Sequence, residues 1–247
     1  MADVPVAVVT GAGQGIGRAT AAVLIEEGYR VVLADRNQDR LDAAAGPLGE
    51  RAVPMLADVG DEDAVAGLAE RVGSELGRWD VLVNNAGALR FGGVEETTLD
   101  DWQQVFSGCV TTAWLCMRAA VPQMRAAGGG RIVNFASVVV QGADSNRLIA
   151  YTAAKAAVVG LTTSAARELG PAGITVNAVS PGAVDTGAFD KFPDPDALRA
   201  RRASTSVLGR LAEPEEIGRT VAYLVSPAAA FVTGQVLLVD GGRTDKM

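Results

Sequence analysis

Residues 6–17, VAVVTGAGQGIG, place a short apolar run directly before a glycine-rich turn. The β-branched run from Val6 to Thr10 predicts a buried strand, and the turn after it predicts the start of a helix. Glycines at such a turn let the backbone approach a pyrophosphate, whose charge meets the helix N-terminus. Gly11, Gly15 and Gly17 have the spacing G-x-x-x-G-x-G, which differs from the six-residue G-x-G-x-x-G dinucleotide fingerprint. A tight turn would explain the glycines alone, but the strand-turn-helix context favours a dinucleotide site.

Six further β-branched runs alternate with alanine-rich segments along the chain. They are Arg30 to Ala34, Ala52 to Ala57, Val81 to Asn84, Arg131 to Ala136, Ile174 to Ser180 and Gln235 to Val239. Because the runs are apolar throughout and not half polar, they predict a parallel sheet covered on both faces. The predicted fold class is α/β, a single-domain Rossmann-type doubly wound parallel sheet of about seven strands with helices on both faces. No linker interrupts the pattern, so residues 1–247 are expected to form one dinucleotide-binding and catalytic domain.

The longest irregular piece of the chain, residues 184–208, contains Pro193, Pro195 and the run Arg199-Ala200-Arg201-Arg202. A long loop in a compact domain is usually either a functional lid or a disordered patch. Its position after the sixth predicted strand favours a substrate lid.

The composition argues against several classes of protein. A net charge of -7 and a pI near 4.7 argue against sequence-independent nucleic-acid binding, which requires a basic face. The absence of histidine removes every mechanism that needs an imidazole base, and with only two cysteines no metal site is expected. Cys109 and Cys116 would lie about 10 Å apart along a helix axis, too far to bridge, which fits a reducing compartment. Residues 1–5 show no secretion signal and no apolar stretch reaches the span of about 18 residues that crosses a membrane, so we expect a cytoplasmic protein.

A carboxylate, Asp35, ends the second predicted strand, 18 residues after Gly17. This is close to the interval of about 20 residues at which a carboxylate holds the ribose 2'-hydroxyl of NAD. A carboxylate there would repel the 2'-phosphate of NADP, whereas the neighbouring Arg36 would attract it. Gln14 decides the choice, because no basic residue inside the glycine turn supports a phosphate. NAD is therefore the predicted cofactor and NADP the less favoured one, although an ordinary strand-end turn would also explain Asp35.

Tyr151 and Lys155 lie four residues apart in the alanine-rich run AYTAAKAA, residues 150–157. On a helix both side chains would point from one face. A free tyrosine keeps its proton until about pH 10, but an adjacent ammonium favours the phenolate, which makes the phenol a proton donor and acceptor. Such a pair also arises by chance on solvated helices, so its interpretation depends on the other motifs.

Taken together, the motifs resemble those of the short-chain dehydrogenase/reductase family over essentially the full chain. In chain order they are Thr10 to Gly17, Asp58-Val59, Asn84-Asn85-Ala86-Gly87, Ser137, Tyr151-x-x-x-Lys155 and Pro181-Gly182. The resemblance implies hydride transfer at nicotinamide C4, which interconverts a secondary alcohol and a ketone. It also implies a homo-oligomer, commonly a tetramer.

The resemblance assigns roles to individual residues. Ser137 would donate to the substrate oxygen, Tyr151 would take or give the hydroxyl proton, and Lys155 would stabilise the phenolate and bind the nicotinamide ribose. Asp58 and Val59 would flank the adenine, and Asn84 would line the groove together with Gly87. The nicotinamide pocket would be shaped by residues 181–186, with Val184 acting through its backbone. The predicted cofactor-binding set is Gly11, Gln14, Gly15, Ile16, Gly17, Asp35, Arg36, Asp58, Val59, Asn85, Ala86, Gly87, Tyr151, Lys155, Pro181, Gly182, Val184 and Thr186.

One position departs from the family pattern. Cys109 stands where the family usually carries an asparagine that helps to hold a water beside the lysine for proton relay. A thiol is too weak a donor and acceptor to copy that amide. Either the relay runs through backbone and water, or the enzyme is slow, or catalysis has been lost.

Two other functions stay open. One is an NADPH-dependent reductase of 3-oxoacyl thioesters carried on acyl carrier protein or coenzyme A, with Arg199, Arg201 and Arg202 meeting the carrier. The other is a catalytically dormant dinucleotide-binding sensor, supported only by Cys109. For the preferred function we expect a small alcohol or ketone in a largely apolar pocket under the lid, with candidate walls at Val138 to Gln141, Phe189, Phe192, Leu198, Val207 and Leu208.

Overall fold

A seven-stranded sheet forms the centre of the protein, and all its neighbouring strands pair in parallel. The structure is a computed structural model that describes residues 4–142 and 146–244. The strands are β1 Val6–Thr10, β2 Arg30–Asp35, β3 Ala52–Leu56, β4 Val81–Asn84, β5 Gly130–Phe135, β6 Ile174–Pro181 and β7 Val236–Val239. Their order is β3-β2-β1-β4-β5-β6-β7, which confirms the predicted doubly wound fold.

Eight α-helices connect the strands within the described ranges. They are α1 Gly15–Glu26, α2 Gln38–Ala45, α3 Glu62–Arg71, α4 Leu99–Phe106, α5 Thr112–Ala126, α6 Ile149–Leu169, α7 Pro195–Ala203 and α8 Pro214–Val225. A π-helical turn, Ser107–Thr111, joins α4 to α5 without a break. A π-turn inserts an extra residue into the helical ladder and is frequent at functional sites.

Each face of the sheet carries its own hydrophobic core. Alternate residues of one strand point to opposite faces, so Val8 packs in one core and Val9 in the other. The first core includes residues of α3, α5 and α6, and the second includes residues of α1, α2 and α8. Helices on both faces are the reason why the strands are apolar throughout.

The strand order creates a crevice between β1 and β4. The chain runs outward from β1 to β2 and β3, and then returns to β4 on the other side of β1. Ligands of open α/β sheets bind at this reversal, beyond the carboxyl ends of the strands. The glycine-rich turn follows β1 and therefore lies at the crevice.

The segment 184–208 is more regular than the sequence prediction. It contains a 3₁₀ turn, Ala188–Lys191, and helix α7. Pro195 begins α7, where its missing N–H costs nothing, and the side chain of Asp194 caps the helix by accepting a hydrogen bond of 3.0 Å from the N–H of Ala197. The prediction of an irregular loop was wrong here because Pro195 starts a helix and does not break one.

Both cysteines are buried, and they are unbridged, as their spacing predicted. Burial raises the pKa of the Cys116 thiol to about 12, so that thiol stays protonated. Among the described residues, the continuous helix Leu99–Ala126 is long and apolar enough to cross a membrane, which the sequence reading did not anticipate. Because 44% of its most apolar window is buried inside the fold, and core helices meet the same criterion, this is weak evidence for a span.

Candidate active site

The turn after β1 can exist only with glycines at its crowded positions. Gly11 and Gly15 have φ of 64° and 54°, a region that favours glycine. A Cβ on Gly17 would lie 2.5 Å from Nδ2 of Asn85, and closer still to the carbonyl oxygen of Gly11. Gln14, which precedes α1, makes no side-chain cap, so the first N–H groups of the helix remain available to an anionic ligand.

Asn85 braces this turn from the neighbouring strand β4. Its Nδ2 donates to the carbonyl oxygens of Thr10 at 2.9 Å and Gly11 at 3.2 Å. The hydroxyl of Thr10 accepts from the N–H groups of Asn85 at 3.1 Å and Ala86 at 3.0 Å. The ends of β1 and β4 are thereby fixed together at the crevice.

The expectation that Asn84 lines the groove was wrong. Its side chain is buried, and Nδ2 donates to Oδ1 of Asn134 at 2.8 Å. Nδ2 of Asn134 in turn donates to the hydroxyl of Thr162 at 2.9 Å. Asn84 is the last residue of β4, so its side chain takes part in a polar chain inside the fold, and Asn85 after it lies in the crevice.

Asp35 lies at the end of β2 and faces the glycine turn. Its Oδ2 accepts from the N–H of Gly13 and its Oδ1 from the N–H of Asn37, each at 3.1 Å. A Cβ on Gly13 would lie 2.9 Å from Oδ2, so only glycine lets the carboxylate come this close. The side chain of Arg36 is 79% exposed, and its Nη1 lies 4.0 Å from Oδ2 of Asp58. Such a surface ion pair contributes little to the stability of the fold.

Two adjacent cavities, which share several lining residues, lie at the carboxyl ends of the strands. The larger, of about 1050 Å³, contains Gly11, Gln14, Gly15, Ile16, Asp35, Arg36, Asp58, Val59, Asn85, Ala86, Gly87 and Thr186 of the predicted set. The smaller, of about 340 Å³, adds Ser137, Tyr151, Lys155, Pro181, Gly182 and Val184. Gly17 lines neither cavity and serves the packing of the turn. Ala88 and Leu89 line both, and sequence reasoning missed them, although they directly follow the motif that ends β4.

The helix α6 presents Tyr151 and Lys155 to the smaller cavity, one turn apart. Lys155 is 4% exposed, and its Nζ donates to the carbonyl oxygen of Phe135 at 2.6 Å. Nζ lies 5.6 Å from the centroid of the Tyr151 ring. An ammonium has three donors, so two remain for other partners. Ser137 precedes the 3₁₀ turn Val138–Gln141 after β5 and caps it, since its hydroxyl accepts a long hydrogen bond of 3.5 Å from the N–H of Val139.

The thiol of Cys109 lies beside this group but outside the smaller cavity. Its Sγ donates to the carbonyl oxygen of Ala88 at 3.3 Å and accepts from the N–H of Ala88 at 3.5 Å. A Cβ on Gly87 would lie 3.8 Å from Sγ and 3.9 Å from Nζ of Lys155, so Gly87 stands between the thiol and the ammonium. The thiol is buried on the π-turn, a feature that no sequence signal had indicated.

The residues expected to wall the substrate pocket do not line the cavity beside Tyr151. Phe192 packs edge-to-face against Phe91, with ring centroids 6.3 Å apart. Val207 and Leu208 are exposed, and their N–H groups bind the carbonyls of Gly242 and Gly241. The apolar surface near Ser137 comes instead from Leu89, Phe135, Ala136 and Pro181.

Known proteins are similar to this chain over nearly its full length. A family model described as enoyl-(acyl carrier protein) reductase matches residues 11–244. Cis-4-hydroxycyclohexanecarboxylate dehydrogenase of Sinomonas cyclohexanicum is 44% identical over 97% of this chain and 96% of its own. Meso-2,3-butanediol dehydrogenase of Serratia marcescens is 40% identical over 98% of this chain and 95% of its own. 3-Oxoacyl-[acyl-carrier-protein] reductase FabG of Vibrio harveyi is 36% identical over 96% of each chain.

Proposed function

This chain belongs to the short-chain dehydrogenase/reductase family, whose members are NAD(P)-dependent oxidoreductases, and from that premise we propose its reaction. The proposed reaction is the NAD(H)-dependent interconversion of a secondary alcohol and a ketone, with Tyr151 as general acid and base. The observation that carries the proposal is the meeting of Ser137, Tyr151 and Lys155 in one cavity that adjoins the glycine-lined groove.

The groove fits a nicotinamide dinucleotide. The turn at residues 11–17 leaves no space for side chains at Gly13 and Gly17, so a bound pyrophosphate would meet backbone and the start of α1. Asp35 would bind the adenosine ribose, and Asp58 with Val59 would lie against the adenine. Pro181, Gly182, Val184 and Thr186 would enclose the nicotinamide. The bound dinucleotide supplies the hydride acceptor for alcohol oxidation or the hydride donor for ketone reduction.

The chain's own residues would hold the substrate and move its proton. Ser137 donates a hydrogen bond to the substrate oxygen and holds it next to the Tyr151 hydroxyl. During oxidation the Tyr151 phenolate removes the hydroxyl proton, and during reduction the phenol returns it. One N–H of the Lys155 ammonium stays bound to the carbonyl oxygen of Phe135, which fixes the side chain. The remaining N–H groups would donate to the phenolate and to the nicotinamide ribose.

NAD is the proposed cofactor because the carboxylate of Asp35 is anchored beside the glycine turn, where the adenosine ribose would lie. Two backbone N–H groups hold it there, so it cannot turn away from a 2'-phosphate. Arg36 extends into solvent and pairs only at 4.0 Å with Asp58.

The names of two relatives favour a small secondary alcohol as the substrate. The dehydrogenases from Sinomonas cyclohexanicum and Serratia marcescens are named for a ring hydroxyl and for a vicinal diol. The alternative, a 3-oxoacyl thioester, has support in the name of the Vibrio harveyi relative. Of the basic residues expected to meet a carrier, however, Arg199 is bound to carboxylates of its own chain. An assay of both substrate classes with NAD(H) separates the two, and preference for a thioester would contradict the proposal.

We also propose a homo-oligomer, with a tetramer as the expected form. Four apolar residues repeat at intervals of four along the helix that contains the π-turn, namely Trp102, Phe106, Val110 and Trp114. Trp102 and Trp114 are 37% and 45% exposed, and Trp102 stacks on Phe106 at 4.8 Å. A second copy of the chain would cover this stripe. Light scattering tests the proposal, and a particle with the mass of one chain would contradict it.

Cys109→Asn is expected to retain or raise kcat/KM. An asparagine amide carries both a donor and an acceptor, so it can replace the two contacts of the thiol with Ala88. Cys116→Ala is the matched control, because it removes a buried thiol outside the site. If Cys109→Asn folds and nevertheless loses most of its activity, the thiol has a role beyond packing.

A further inference from the structure

The guanidinium of Arg199, on α7, binds three carboxylates at once. Nε donates to Oδ1 of Asp185 at 3.2 Å, and Nη2 donates to Oδ1 of Asp190 at 2.5 Å. Nη1 lies 3.5 Å from Oδ1 of Asp196, and the guanidinium carbon lies 5.8 Å from the centroid of the Phe189 ring. The Arg199 side chain is only 26% exposed. A cation that is shared among carboxylates and partly shielded from solvent differs from an isolated surface ion pair, which contributes little to stability.

Two of these carboxylates belong to a segment that covers the cofactor groove. This roof segment, residues 185–191, follows β6. Thr186 lines both cavities, and Lys191 lines the larger one. A Cβ on Gly15 would lie 3.4 Å from Cβ of Thr186, so the roof segment lies against the glycine turn. Arg199 therefore binds immediately beside the residues that enclose the groove.

Helix α7 lies on the surface of the fold. All nine of its residues are described, and none of them is buried. No fully buried side chain therefore fixes its position. After the helix, the N–H groups of Val207 and Leu208 bind backbone carbonyls of Gly242 and Gly241. The contacts of Arg199 with Asp185 and Asp190 link α7 to the roof segment.

We propose that Arg199 is a positioning residue for the dinucleotide. From α7 it holds the roof segment, through Asp185 and Asp190, in the position where Thr186 and Lys191 close over the cofactor. The inference rests on the proposed use of this groove for NAD(H). Lysine would not reproduce the arrangement, because a single ammonium lacks the planar fork that reaches several carboxylates.

The test measures NADH binding, through the fluorescence of the nicotinamide, together with the KM for NAD+ and kcat. Arg199→Met is expected to raise the dissociation constant of NADH and the KM for NAD+ by about tenfold, the effect of losing about 1.4 kcal/mol of binding energy. A smaller change is expected in kcat, because the residues beside the substrate stay in place. Arg201→Met, on the exposed side of the same helix, is the matched control and should change binding less than about twofold.

A second variant keeps the inference testable if Arg199→Met does not fold. Asp190→Asn should weaken NADH binding in the same direction, and the two substitutions together should not multiply their effects, because they break one contact. Equal NADH binding by wild type, Arg199→Met and Asp190→Asn would overturn the role of Arg199 and leave the proposed function standing. Failure of the wild type to bind NADH would overturn both.

Discussion

Tyr151→Phe is expected to lower kcat by about 10²- to 10⁴-fold, the range that a positioned general acid or base contributes. Phenylalanine keeps the ring beneath the Lys155 ammonium, whose Nζ lies 5.6 Å from the ring centroid, so the local packing should remain. It removes the hydroxyl that takes or gives the substrate proton. The sequence contains no histidine that could take over this proton transfer.

The dissociation constant of NADH should be nearly unchanged in Tyr151→Phe, because most of the groove that would hold the dinucleotide lies away from the phenol. Tyr223→Phe serves as the matched control, since Tyr223 is an exposed residue of α8 and the same hydroxyl is removed there. Retained turnover in Tyr151→Phe would exclude Tyr151 as the acid and base. An equal loss in Tyr223→Phe would show that the effect is not local.

Wild-type kcat/KM is expected to be higher with NAD+ than with NADP+, and Asp35→Asn should reverse or abolish this preference. The substitution keeps the shape of the side chain but removes the charge that repels a 2'-phosphate. It also weakens the hydrogen bonding to the ribose. Hydrogen bonds to charged groups contribute about 1.5–3 kcal/mol, so we expect kcat/KM with NAD+ to fall on the order of 10- to 100-fold.

The matched control for Asp35→Asn is Asp39→Asn, which removes a nearby negative charge on the exposed first turn of α2. Asp39 does not line the groove, so the ratio of kcat/KM for the two cofactors should stay close to the wild-type ratio. A wild-type preference for NADP+ would show that Arg36 has more influence than Asp35. An equal change of the ratio in both variants would point to overall charge and not to a ribose contact.

Most of the sheet could be predicted from the sequence because strands buried on both faces must be apolar throughout. The predicted runs differ from the observed strands by one residue at most at either end. The glycine turn could be predicted for a similar reason. Only residues without a Cβ satisfy its backbone angles and its contact with Asn85, so the steric requirement appears directly in the sequence.

Other features were harder to predict from the sequence. The start of α7 at Pro195 was misinterpreted, although its cap from the neighbouring Asp194 is a local signal in the sequence. The orientations of Asn84 and Asn85 depend on the point at which β4 ends, so two identical residues have different roles. The binding of Arg199 to Asp185 and Asp190 joins separate segments, and a sequence pattern does not show which carboxylates a surface arginine will meet.

The most direct test of the proposed reaction follows a hydride from substrate to cofactor. Wild-type protein is incubated with NAD+ and with secondary alcohols deuterated at the carbinol carbon, including meso-2,3-butanediol and cis-4-hydroxycyclohexanecarboxylate. Formation of ketone together with NADH carrying deuterium at nicotinamide C4 is the predicted result for at least one alcohol, and Tyr151→Phe should give almost none. Absence of labelled NADH with every alcohol, from wild-type protein that binds NADH, would contradict the proposed alcohol and ketone chemistry.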